Sequence, residues 1–225
     1  MYAMAHKFWT KTGSRPLRTY YNRIAGQSLE RLAALSDGIF AVAMTLLVLD
    51  LHVPVGAIQS EQELWRALVK LAPNLLPYLM SFLTLGIFWV GQNTQHDLLE
   101  RSERGYAWIH IAFLMAVTLV PFSTSLLAEF IAYRTALFVY WFNIAFLGAT
   151  LLAGWYRARA LGLVKRDAPE GTDRALVHRV VVAQILYAGA ASLCVFSNYW
   201  SIGLIVAIQL QYAVGLRFRP FSWIG

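Results

Sequence analysis

Charge and cysteine are what this 225-residue chain has least of. Asp, Glu, Lys and Arg make up 14% of it, against about a quarter in soluble domains, while apolar residues reach 58%. With a mean hydropathy of +0.52, that balance excludes an ordinary soluble domain, and the length exceeds what one or two membrane spans need. The single cysteine, Cys194, excludes an intrachain disulfide framework and a multi-cysteine metal site, and in its apolar run it reads as a packed free thiol. P-loop, GxSxG and HExxH motifs are absent, as is any close His or carboxylate cluster with metal spacing. No nucleophile and base stand together, so the expectation is no enzyme, no cofactor and no resident metal. The TVGYG filter is missing too, which excludes carbonyl-ring selection of K⁺ in the usual channel manner.

What is present is a polytopic pattern: an all-α integral membrane protein with six spans. Residues 1–30 carry Lys7, Lys11, Arg15, Arg18 and Arg23 among aromatics, with no apolar run before a small-residue cleavage site, so they read as a basic cytoplasmic arm and not a signal peptide. Spans follow at about 31–53, 71–90, 106–127, 135–156, 180–197 and 199–216, giving a six-helix transmembrane domain over 31–217 and a short cytoplasmic tail, 218–225. Residues 54–70 are expected to form a mixed polar loop or, as the alternative, to include a short helix outside the membrane, with Pro73 and Pro77 in the first turns of the second span. Pro121 should bend the third span by removing the bond to the Val117 carbonyl, with Ser123 and Thr124 helping to satisfy the freed backbone. Six spans put both termini on one side. All but three of the 19 Lys and Arg, namely Arg66, Lys70 and Arg134, then fall on that side, and the positive-inside rule makes it cytoplasmic. The net charge of +7 therefore belongs to topology, and no nucleic-acid partner is expected.

The first span, RLAALSDGIFAVAMTLLVLDLHV, opens with Arg31, Ser36 and Asp37 and then turns apolar. An ionisable side chain inside a span costs on the order of 2.5–3.5 kcal/mol, so Asp37 is expected to face protein or water. Val42, Thr45, Leu46 and Leu49 fall at i, i+3, i+4 and i+7, one continuous stripe. Such a stripe is either a helix-packing seam or, in several copies around an axis, a pore lining with a hydrophobic constriction and a ring of hydroxyls. Periodicity alone does not separate the two. His110 is a packed histidine or a proton-sensing one, Trp89 an interfacial marker or a structural partner of the first helix, and His96 and Asp97 sit in an expected solvated loop.

Arg31-x-x-x-Leu35-Ser36-Asp37-Gly38-Ile39-Phe40-Ala41, with Thr45 to Asp50 following, resembles the RxxxFSD signature of the transmembrane protein 175 family, prokaryotic branch. Phe88-Trp89 and Leu119 to Leu127 resemble that family's other recurring segments. The resemblance implies a potassium-permeable cation channel in a prokaryotic plasma (inner) membrane. It would be a homotetramer with the first helix lining the pore, K⁺ and other monovalent cations as permeant ions, and the lipid bilayer and further copies of itself as partners. By position it implies that Val42, Thr45, Leu46 and Leu49 form the gate and lining, with transient K⁺ near Thr45. Arg31, Ser36, Asp37 and Trp89 would then anchor the helix. The sequence departs from the family in two places: the signature Phe is Leu35, and the paired histidines after the second-span Trp are Gln92 and Asn93, which puts a Trp-His-Arg network in doubt. The alternative is a proton-coupled secondary transporter or proton leak using Asp37 and His110, although inverted repeats and matched broken helices are absent.

Overall fold

The computed structural model describes residues 28–53 and 58–214, so the basic arm up to residue 27 and the tail at 218–225 lie outside the described residues. Helix α1 spans Leu29–Leu46 and tightens into a 3-10 turn at Leu47–Asp50. Then come α2 (Glu61–Asp97), α3 (Arg104–Thr118), α4 (Val120–Glu129), α5 (Arg134–Ala160), α6 (Thr172–Ser192) and α7 (Asn198–Val214). Five units are long and apolar enough to cross a membrane: α1 with its 3-10 turn, α2, the α3–α4 pair, α5, and α6 with its 3-10 extension. The described part of α7 is 17 residues long and lies against α2 and α6.

Three helices, α1, α2 and α3, start where a side chain satisfies an orphan amide, whereas α4, α5 and α6 have no side-chain cap. Ser28 accepts from the Arg31 amide, Ser60 from that of Glu63, and Glu103 from that of Tyr106. At the other end of α5, Gly162 takes φ +61°, donating to Arg159 while Leu163 donates to Ala158, a paired closure that a Cβ would strain. The connectors after α2 and α5 are then tied by one antiparallel bridge, Leu99 to Val164.

Two local expectations change. The polar stretch 61–70 is helical, as the alternative of a short helix outside the membrane has it, but it is continuous with the span: it starts α2, which runs unbroken for 37 residues, about 55 Å. Pro73 and Pro77 therefore lie in the helix interior and not in its first turns. At Pro121 the chain does break, with α3 ending at Thr118 and α4 starting at Val120, but the Ser123 and Thr124 hydroxyls donate to the Val120 carbonyl, not to Val117.

The core is apolar and shared by all seven helices, with Phe40 and Phe88 both tilted against Phe113, centroids 6.0 and 6.3 Å away. Through it runs a neutral polar seam. The Thr124 and Ser81 hydroxyls meet at 2.6 Å, Ser81 and Thr84 meet the Tyr140 hydroxyl, and Gln209 donates to Thr84, all of them buried. In a bilayer these bonds tie helices that lipid would otherwise solvate equally well, at about 0.6 kcal/mol each. Half of the most apolar window of α5 is buried, against 22% of those of α1 and α6, so these two helices lie at the edges of the bundle.

Candidate functional site

The two sides of α1 have opposite fates. Ser36, Phe40, Ala43 and Leu47, spaced 4, 3 and 4 residues apart, are buried against the bundle. On the other side Val42 is 58% exposed, Leu46 43% and Leu49 68%, and Thr45 is exposed with them. The 3-10 turn from Leu47 rotates faster per residue than an α-helix, yet Leu49 still points outward. Beside this stripe, Ala34, Leu35, Gly38, Val42 and Leu46 form with Thr118 of α3 a groove of about 440 Å³.

The packed side is locked by two bonds from adjacent residues. Ser36 Oγ donates to the Leu32 carbonyl at 2.9 Å and lies 2.7 Å from His110 Nε2. A hydroxyl has one proton, so with it on Leu32 the imidazole is the donor through Nε2–H. One residue on, Asp37 Oδ1 accepts from the Trp89 indole N–H at 2.9 Å, an exposed bond linking α1 to α2. Leu35, where the signature has Phe, is exposed. Arg31 is exposed and makes no side-chain hydrogen bond or ion pair among the described residues, so the side chains anchoring α1 here are those of Ser36 and Asp37.

His96 is not in a solvated loop. It occupies the last turns of α2, buried, with its ring centroid 4.8 Å from that of His110 and 6.1 Å from that of Tyr106. Gln92 Nε2 donates to His96 Nδ1 at 2.9 Å, and Gln92 Oε1 is buried with no protein partner. Of Gln92 and Asn93, the two residues after Trp89 that depart from the family pattern, Gln92 thus pairs with His96 one turn on, beside His110. Reading α2 on as a helix past Trp89 would have found it, because Gln92 and His96 stand at i and i+4.

Below this site, Glu103 caps α3 and pairs with Arg157 of α5 at 2.9 Å. Its burial pushes the carboxyl pKa up, but the amides of Gly105 and Tyr106 and the Arg157 guanidinium outweigh that and hold it below the ordinary value. No group of three or more His, Cys, Asp or Glu that would hold a metal exists among the described residues.

With this geometry in place, the comparisons with known proteins are specific. The family model described as endosomal/lysosomal potassium channel TMEM175 matches residues 31–121, from the signature Arg to the helix-breaking Pro. A potassium channel of Chamaesiphon minutus is 31% identical over 188 residues, covering 82% of this chain and 93% of that one. The crystal structure of a lysosomal potassium-selective channel TMEM175 homolog from the same organism superposes with a TM-score of 0.73 at 29% identity, over 83% of this chain and 96% of that one. The zebrafish (Danio rerio) relative, an endosomal/lysosomal proton channel TMEM175, is 30% identical over 105 residues, and the match spans only 20% of its length.

Proposed function

The chain belongs to the TMEM175 family, and on that premise we propose that it is a potassium-permeable cation channel: a homotetramer whose α1 helices line the path, with both termini cytoplasmic. The observation that carries this is the division of α1, whose inner face is fastened through Ser36 and Asp37 while Val42, Thr45, Leu46 and Leu49 are left to an outer surface. One copy of a single helix encloses nothing, so several chains must bring that surface together.

Around an axis, rings of Val42, Leu46 and Leu49 make an apolar constriction. An ion stripped of its hydration gains nothing from an aliphatic wall, so such a ring gates by dewetting and not by coordination. Thr45 differs: its hydroxyl proton is committed to the Val42 carbonyl at 2.8 Å, which leaves the oxygen lone pairs outward, the arrangement a passing K⁺ needs. Conduction is passive and needs no cofactor. The basic charge gathered on the side of the termini supports the cytoplasmic orientation, and a prokaryotic plasma membrane fits the bacterial relative.

Leu49→Asn in liposomes with a K⁺ gradient tests the reading. Hydrating the constriction should raise K⁺ flux severalfold, and flux equal to wild type would remove α1 from the path.

A proton-conducting reading is favoured by the zebrafish relative and by Asp37, an exposed carboxylate beside the stripe. His110 fits it less well, since it is buried behind Ser36 and away from the stripe. Reversal potentials under opposed K⁺ and H⁺ gradients separate the two, because a K⁺ path follows the K⁺ gradient and a proton path the pH.

A further inference from the structure

Bonds across the bundle fix where the other helices end relative to α2. Trp89 is level with Asp37, so Asp50, at the end of α1, lies level with Leu76. Ser81 is level with Thr124 and Tyr140, so the end of α4 and the start of α5 lie at the same height. Thr84 is level with Gln209, which sets the start of α7 near Pro73. Above that height no other described helix runs on beside α2, which continues from Ala72 back to Glu61, about 18 Å of helix. No residue in 61–76 is buried.

This arm is specified to be helical. Ser60 caps it and Glu63 reaches back to the Gln59 amide at 2.8 Å, a box-like start outside the bundle. It is also two-sided. Trp65, 67% exposed, Leu68 and Ala72 recur at the alternating 3–4 spacing of a coiled-coil seam, continued by Leu75, Leu79 and Phe82. Glu63, Arg66 and Lys70 lie on the opposite side.

In the bilayer an exposed apolar stripe needs no partner beyond lipid, but one that stands about 18 Å clear of the other spans does. Among the described residues its own chain offers no helix at that height. A second copy does, because copies inserted in the same orientation hold their arms parallel and level, with matching seams. Glu61 stands at the outer end of the seam, four residues before Trp65, while Glu63, Arg66 and Lys70 lie away from it, so the arm carries no net charge and its seam is apolar from Trp65 onward.

We propose that Glu61–Ala72 is an inter-subunit contact: arms of neighbouring copies pack through Trp65, Leu68 and Ala72 outside the membrane, a collar above the pore mouth. The proposal rests on the oligomeric reading above. The test is photo-crosslinking in purified protein in lipid nanodiscs, with benzoylphenylalanine placed at Leu68 and, as control, at Lys70, and the native mass of each sample measured alongside. Light should shift the 25.3 kDa band to multiples of that mass for Leu68, with little or no shift for Lys70. Lipid adducts alone, or no product, from Leu68 in a sample of oligomeric native mass would overturn the collar and leave the tetramer standing. A monomeric native mass throughout would overturn both.

Discussion

Ser36 and Asp37 are neighbours in sequence, yet the bonds they make differ in kind. Ser36 meets His110 in a site closed to water, while Asp37 meets Trp89 at the surface, where water competes for both groups. Removing a buried partner leaves a cavity as well as a lost bond; removing an exposed one leaves a site that solvent refills. His110→Ala is therefore expected to lower stability by about 1–3 kcal/mol, and Trp89→Phe by about 0.5–1 kcal/mol. Thermal unfolding of the detergent-solubilised protein measures both. Equal losses would mean that the Ser36 contact is no more protected than the exposed one. That Asp37 faces protein or water follows from the cost of a charge in a span, and a structural role for Trp89 beside the first helix is one of its two sequence readings; that the two meet is visible only in the structure. His96 was hidden for a different reason: a charged neighbour, Asp97, makes a stretch look solvated, although a helix keeps turning and buries every third or fourth side chain regardless.

At the scale of the element the same distinction governs α2. Hydropathy marks the part of a helix that lipid can cover, whereas helix length is set by caps and by the absence of a stop. Between Ser60 and Leu98 no stop signal interrupts the chain except two prolines, and in a membrane bundle interior prolines are tolerated where neighbouring groups re-satisfy the backbone. The apolar core of each span was therefore legible, but the ends of α2 were not. Pro121 was legible because it lies mid-span, where losing a bond must show; the hydroxyls nearby serve Val120 because it is the carbonyl one turn behind them.

The start of α3 also carries a pH dependence. Glu103 has its carboxyl held below the ordinary value near 4.5 by two amides and Arg157, so the folded protein prefers it charged. Its contribution is fully present above that ordinary value and is lost as pH falls through the lower folded value. Lowering pH through this range should reduce the melting temperature of wild type more than that of Glu103→Gln, which has no proton to take up. Parallel curves for the two proteins would remove Glu103 as the source.

For the whole molecule the proposed pore turns on one contrast, a bundle packed against one side of α1 and an apolar stripe exposed on the other. A six-span transporter would carry its path within one chain, between repeats, and each protomer would work alone. A pore built from α1 helices belongs to all subunits at once, and a ring of four leucines is wetted in steps as they are replaced. Co-expressing wild-type and Leu49→Asn subunits distinguishes these cases in single-channel records. If the path is shared, mixed assemblies should give conductances between those of the two pure proteins, in proportions that follow the expression ratio. If each chain conducts alone, only the two parental levels should occur at any ratio, and the outer stripe of α1 would then be a packing seam. The chemistry of a single Leu→Asn change is too small to reshape a bundle held by Phe40, Phe88 and Phe113, so intermediate levels would report on the geometry of the ring and not on altered folding.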